Sequence, residues 1–289
     1  MATVAANDPQ AVLNGLLSKY SVEVTAKDKK GIEAAEKMLP GSGTEVYVAN
    51  LPNDSMDRLV DACTRIGRAG LTPVPHMVAR NTASVQELDE TLRRLVGEAG
   101  VHTCLVLGGD RDTPVGPFDA SIQLIETGLF AKHGVKRLAI GCHPETHPRV
   151  ADEIMHPALP PKVRAAEAQG HEVYLVSQFA FDAQAYLQMA RRIRSQGIAN
   201  PLRVGVAGPT TAGKLLKFAL MCGVGASLRA LKERQEMAGN MLTGETPEAL
   251  LRELAAAQAA EPELGIDSIH FFTFGALDKS VEFAHDLRA

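Results

Sequence analysis

Apolar and β-branched residues fall into short runs along this chain, and each run is followed by a stretch in which apolar positions return every third or fourth residue. Eight such runs can be marked, at 21–26, 44–49, 72–79, 102–109, 137–143, 173–178, 203–208 and 269–274. The intervening stretches read as amphipathic helices. In 55–70, for instance, Met56, Leu59, Val60, Cys63 and Ile66 share one helical face, and Asp54 or Ser55 can cap it. Nearly continuous apolar strands alternating with helices predict a parallel sheet covered by helices. Eight units predict a closed (β/α)8 TIM barrel, a single α/β domain over 1–289, with an open doubly wound sheet as the alternative. Closure is favoured by where the polar residues fall. Glu23, His76, Asp110, His143 and Gln178 sit in or just after the C-terminal halves of different strands, positions that a barrel gathers at one mouth. The long interval before the last run reads as a helical insertion at about 222–262, with Thr246 as N-cap and Pro247 as first residue of one of its helices.

Composition narrows the class. Of 289 residues, 45% are hydrophobic and 22% charged, enough apolar material for a sizeable core and unlike a disordered chain. Thirty basic against 34 acidic side chains give a net charge of −4, which removes the electrostatic attraction on which nucleic-acid binding relies. No apolar run reaches the roughly 18 residues of a membrane span, and the first residues lack the pattern of a secretory leader, so a cytoplasmic protein without a membrane partner is expected. Cys63, Cys104, Cys142 and Cys222 are far apart and form no C-x-x-C pair, against a disulfide framework or a cysteine-rich zinc site.

Several residues could carry chemistry. Glu23 is an acid inside an apolar strand, where burial would raise its pKa and suit it to general-acid work; the plainer reading is a strand-end Glu facing solvent. Asp110 closes LVLGGD, in which two glycines let the backbone turn tightly before the carboxylate, or it is an ordinary turn residue. The segment from Gly141 to Pro148 holds Cys142, His143, Glu145 and His147, but its prolines and spacing match no standard zinc pattern, so no metal is expected and hydrogen bonding to a ligand is preferred. Gly208-Pro-Thr-Thr-Ala-Gly213-Lys214 has the spacing of a phosphate-cradling loop, yet Leu215 stands where that loop needs a hydroxyl for Mg²⁺. Gln178 can both donate and accept at the end of a strand, as reading a heterocycle requires, whereas Phe179 and Phe181 read as core packing.

Taken in order, these strand ends resemble the methylenetetrahydrofolate reductase family. Ser21-Val22-Glu23-Val24 is similar to its S-F-E-F, Pro75-His76-Met77 to P-H-L, and Leu107-Gly108-Gly109-Asp110 to L-R-G-D. The run from His143 to Pro148 is similar to Y-P-E-V-H-P, Val176 to Asp182 to I-T-Q-F-F-F-D, and His270 to Thr273 to H-F-Y-T. The resemblance implies a barrel that reduces 5,10-methylenetetrahydrofolate to 5-methyltetrahydrofolate with NADH or NADPH, or runs the reverse, oxidative reaction. It implies Glu23 as the acid that protonates N10 as the ring opens, and Asp110 as the anion that stabilises the resulting iminium cation. Gln178, Asp110 and Phe179 would form the folate site. His76, Gly109, Asp110, His143 and His147 fall at positions that contact FAD in the family, with Lys162 or Arg111 replacing a missing cation.

The departures matter. Gly108 stands in place of the family's Arg, His143 in place of Tyr, and Val24-Thr25-Ala26-Lys27 in place of the run after the first-strand acid. A weakened flavin site follows, and some remote relatives pass hydride from NADH to folate without flavin. Two other readings remain open at this point: a pterin- or folate-binding barrel that transfers methyl groups, and a noncatalytic flavin- or folate-binding protein. Nicotinamide preference, direction and self-association into a homo-oligomer are not legible.

Overall fold

Eight strands form where the apolar runs predict them: β1 (Ser21–Thr25), β2 (Glu45–Ala49), β3 (Thr72–Val78), β4 (Thr103–Leu107), β5 (Arg137–Cys142), β6 (Glu172–Ser177), β7 (Leu202–Ala207) and β8 (Ile266–Phe272). This is a computed structural model, describing residues 8–52, 54–147, 149–222, 224 and 246–288. The strands follow one another in sequence order round a closed barrel, with parallel pairing such as Glu45 with Thr72, Thr103 with Arg137 and Ser21 with His270. Strand β8 begins three residues ahead of its apolar run, because Asp267 and Ser268 at its start interrupt the pattern. A register shift at Leu202/Arg203 accompanies its pairing with β7.

The described helices are α1 (Pro9–Ser18), α2 (Lys29–Met38), α3 (Met56–Arg68), α4 (Val85–Ala99), α5 (Ser121–Glu126), α6 (Leu129–Lys132), α7 (Asp152–Met155), α8 (Leu159–Ala168), α9 (Ala183–Ser195), α10 (Ala212–Met221), α11 (Glu248–Ala260) and α12 (Leu277–Asp286). Helix α3 buries Leu59, Val60, Cys63 and Ile66, as its period requires. Of its two candidate caps, Ser55 takes the role, its Oγ accepting from the Arg58 N–H at 3.3 Å. Asp54 instead accepts from the Leu51 N–H at 3.1 Å and pairs with Lys27 at 2.7 Å. Helix α11 starts one residue later than the sequence suggests: Pro247 occupies the cap position, its carbonyl accepting from Leu251 at 2.9 Å. Of the expected insertion at 222–262, residues 223 and 225–245 lie outside the described residues. Among the described residues no helix is long and apolar enough to cross a membrane, and all four cysteines are free thiols.

The chain divides into two compact units. One comprises Met1–Val22, Cys142–His156 and Val176–Ala289, the other Glu23–Gly141 and Pro157–Leu175. In the first, α1 packs on α11 and β8, and Arg194 of α9 donates to the carbonyls of Ile198, Asn200, Glu263, Leu264 and Gly265 at 2.8–3.2 Å. One planar guanidinium thereby satisfies carbonyls that lead into β7 and β8.

In the second unit, charged residues begin three strands: Glu45 on β2, Arg137 on β5 and Glu172 on β6. Arg137 reaches Glu45 at 2.7 Å and Glu172 at 3.2 Å and lies 4.7 Å from the Tyr174 ring centroid. The Tyr47 and Tyr174 hydroxyls meet at 2.7 Å, and the Tyr174 hydroxyl also donates to Glu45 Oε2 at 3.4 Å. The N-terminal ends of barrel strands ordinarily serve stability rather than chemistry, and this network of paired, hydrogen-bonded groups fits that use.

His171, just before β6, is buried with its Nδ1 3.1 Å from the Val135 carbonyl and its Nε2 without a hydrogen-bond partner. Burial pushes its pKa below the ordinary 6.5, the carbonyl contact opposing in part. The unfolded chain therefore takes up a proton that the folded one refuses. The associated stability is complete above pH 6.5 and is lost as the pH falls from there toward the folded pKa. His171→Gln, which keeps a donor for Val135, is expected to flatten the dependence of the urea midpoint on pH below neutrality; an unchanged slope would assign the acid lability to other groups.

Candidate active site

Glu23 is the third residue of β1, between buried Val22 and Val24, and its side chain is 19% exposed, so it does not face open solvent. Its Oε2 lies 3.4 Å from Nε2 of His76 on β3, itself 9% exposed, within ion-pair distance. Burial pushes the Glu23 carboxyl above its usual range, and His76 pulls in the opposite direction without cancelling the effect. A carboxyl so placed holds its proton at higher pH than a surface glutamate, as a proton donor requires. His76 also meets the Tyr47 ring edge to face, centroids 6.2 Å apart.

Gly109 and Asp110 follow β4. Gly109 has φ +99°, and a Cβ there would stand 2.5 Å from Val78 Cγ1, so only glycine lets this loop press onto the end of β3. Asp110 is exposed at the crest of the turn. At the neighbouring Gly108 a Cβ would meet nothing within 4 Å. Lys162 lies half-buried on α8 of the same unit.

The other unit holds the remaining candidates. The His143 and His147 rings pack edge to face with centroids 5.0 Å apart. His147 Nδ1 accepts from the Arg149 N–H at 3.1 Å, which leaves any ring proton of the neutral imidazole on Nε2. Arg192 of α9 donates to the His143 carbonyl at 3.2 Å and Gln196, which caps the end of that helix, to the His156 carbonyl at 3.1 Å, so α9 and its cap tie down the chain after β5. Gln178 follows β6; its N–H donates to the Cys142 carbonyl at 2.8 Å, and its Oε1 accepts from Phe179 at 3.0 Å. Lys214, from the loop of phosphate-binding spacing, donates instead to the Phe274 carbonyl at 3.2 Å, while Thr211 caps α10.

Phe179 packs in the core as its sequence position suggests, and three features of its surroundings leave no mark in the sequence pattern. Phe179, fully buried, lies in a cluster with Phe181, Phe218, Phe272 and Phe274, at ring separations of 5.3 Å to Phe272 and Phe274. Phe218 and Phe274 stack at 4.4 Å. Phe274 has φ +49°, a strained setting for so bulky a side chain, which marks the turn after β8 as a place where geometry is held against local preference. Finally, the buried Tyr186 hydroxyl accepts from the Ala180 N–H at 2.5 Å and lies 2.6 Å from the Gly205 carbonyl, pinning the segment after Gln178 to β7. Tyr186→Phe would strand those groups and is expected to cost about 1–3 kcal/mol of stability, read from denaturant unfolding; a loss within error would mean water replaces the hydroxyl.

The strands form a parallel closed barrel, and Glu23 on the first of them is a partly buried acid whose carboxyl holds its proton more firmly than a surface glutamate. The family model for methylenetetrahydrofolate reductase matches residues 46–284. The 5,10-methylenetetrahydrofolate reductase of Pectobacterium carotovorum subsp. carotovorum is 25% identical over 234 residues, covering 76% of this chain and 71% of that protein. A solved 2,3-dimethylmalate lyase, a member of the PEP mutase/isocitrate lyase superfamily, superposes with a TM-score of 0.52 at 12% identity over 99% of this chain and 85% of its own, a likeness of fold alone. The chain belongs to the methylenetetrahydrofolate reductase family, an oxidoreductase family of folate chemistry. The matched span begins after β1, so the case for Glu23 rests on its burial and its contact with His76.

Proposed function

We propose that this protein reduces 5,10-methylenetetrahydrofolate to 5-methyltetrahydrofolate at the expense of NADH or NADPH. The observation that carries the reading is the protonatable carboxyl of Glu23 beside His76 in a chain of this family. Glu23 gives its proton to N10 as the bond between N10 and the one-carbon unit breaks, leaving a 5-iminium cation. Asp110 supplies the negative charge facing that cation. Hydride from reduced nicotinamide converts the iminium to the methyl group, and Glu23 regains its proton from solvent. Gln178 is proposed to bind the pterin, at the cost of its bond to Phe179, and the phenyl cluster around Phe179 to supply the apolar side of that site.

The residues fit FAD, the family's usual cofactor, poorly. Arg80 and Arg111, the two guanidinium groups beside Gly108 to Asp110, are both engaged with protein acceptors. Lys162 is proposed as a cation that pairs with the cofactor pyrophosphate, and His143 and His147 as further contacts to the cofactor. FAD, where it binds, is therefore proposed to be held loosely.

The test is to incubate the full chain with 5,10-methylenetetrahydrofolate and NADH, before and after extensive dialysis, and to follow nicotinamide oxidation, 5-methyltetrahydrofolate and the visible flavin spectrum. Matched nicotinamide oxidation and methyl product support the reading. Methyl transfer to an acceptor without nicotinamide oxidation would replace it with the methyltransferase reading. Stoichiometric FAD surviving dialysis would refute the loose flavin site.

A further inference from the structure

Arg80 occupies the short turn Ala79–Asn81 directly after β3, and its hydrogen bonds go to a single stretch of chain. Its guanidinium donates through Nη1 to the carbonyls of Arg111 at 2.8 Å and Asp112 at 3.2 Å, and through Nε to the carbonyl of Asp119 at 3.0 Å. Its backbone N–H donates to the Gly108 carbonyl at 2.9 Å, and its own carbonyl accepts from the Val115 N–H at 3.1 Å. These five bonds secure a loop that has no regular structure of its own between β4 and α5, and would otherwise sample many conformations. Asp110 sits between the anchors, two residues after Gly108 and one before Arg111. On the near side Gly109, where an added Cβ would stand 2.5 Å from Val78 Cγ1, brings the loop close to the end of β3. Arg111 extends the brace by donating to Asn81 Oδ1 at 2.9 Å and to the Pro52 carbonyl at 2.5 Å.

We propose that Arg80 is the positioning residue for Asp110: its guanidinium gathers the carbonyls of Arg111, Asp112 and Asp119 that follow Asp110 while its backbone N–H holds the Gly108 carbonyl before it, and the guanidinium thereby fixes where the Asp110 carboxylate stands during the reaction. This rests on the reading of Asp110 as the anion that faces the folate cation. The side chain contacts backbone, not substrate, and its effect on turnover passes through Asp110. Lysine cannot substitute fully, since an ammonium lacks the planar fork that reaches three carbonyls from one stem.

A double-mutant cycle on the full chain, using Arg80→Ala, Asp110→Asn and both together, tests this with kcat and KM for methylenetetrahydrofolate reduction as readouts. Arg80→Ala is expected to lower kcat on the order of 10- to 100-fold, the size of effect that a misplacement of about 1 Å produces. KM should change less, and Arg80→Ala should add little once Asp110 is already Asn. Millimolar guanidinium should restore part of the lost kcat in Arg80→Ala and none in Asp110→Asn. Hydrogen exchange of 108–119 should quicken in Arg80→Ala, and should do so whether or not Asp110 proves catalytic. If Arg80→Ala does not fold, Arg80→Lys is measured in its place and should fall between the two. Losses that multiply in the double variant, an unchanged kcat in Arg80→Ala where Asp110→Asn is impaired, or unchanged exchange of the loop would each overturn the proposal. A fully active Asp110→Asn would instead overturn the role of Asp110, while the exchange measurement still reports on the tether.

Discussion

Replacing Glu23 with glutamine is expected to cut the rate of methylenetetrahydrofolate reduction by a factor on the order of 10² to 10⁴ while making the protein more stable at neutral pH. Both effects come from the same proton. Gln keeps the size of the side chain and its capacity for hydrogen bonding, so folate binding should change less than turnover. On the stability side, a carboxyl whose folded pKa is raised by burial favours the fold below its unfolded pKa, and this contribution is lost as the pH rises through the folded value. At neutral pH the acid therefore costs the fold something that Gln does not. The gain in the variant should be on the order of 1 kcal/mol, larger at pH 8 than at pH 5. Steady-state kinetics and thermal unfolding on the same preparation check the two halves. Near-full turnover would remove Glu23 from the mechanism, and a destabilised variant would mean that its contact with His76 is worth more than the burial it offsets.

Asp110→Asn should lower kcat on the order of 10² to 10³, the usual consequence of deleting one group aimed at a developing charge. The side chain is exposed and on a loop, so its removal should leave unfolding almost unchanged. The informative quantity is the split: a fall in kcat with a modest change in KM locates the loss at the cation rather than in binding the pterin. A rise in KM alone would make Asp110 a binding residue. Retained turnover with methyl transfer to an added acceptor would favour the methyltransferase reading.

The strands were legible because parallel barrel strands are buried on both faces, and runs such as SVEVT or TCLVL have few other uses. The apolar pattern understates β8 because Asp267, which is exposed, and Ser268 precede its apolar stretch. Glu23 stood out for a physical reason, an acid among apolar neighbours, and the structure supplies the burial that this position suggested. The phenyl cluster did not stand out. Its members come from the segment after β6, from α10, from the end of β8 and from the turn after it, and each alone looks like ordinary core. The strain at Phe274 was equally invisible, since a left-handed turn is usually announced by glycine or asparagine and here is not. Arg80 and Tyr186 are not legible in the sequence, because bonds from side chains to distant backbone carbonyls leave no periodic trace.

The network at the beginnings of β2, β5 and β6 also bears on how the chain is made. Glu45 leaves the ribosome 92 residues before Arg137, and Tyr47 precedes its partner Tyr174 by 127. Until those residues arrive, the acid and the phenol of β2 lack the partners that make their burial tolerable. The unit they belong to is interrupted in sequence by Cys142–His156, which packs with the other unit. No contiguous fragment can therefore contain either unit whole and nothing else. A nascent chain ending before β6 carries an incomplete interior, with apolar surface of that unit still uncovered.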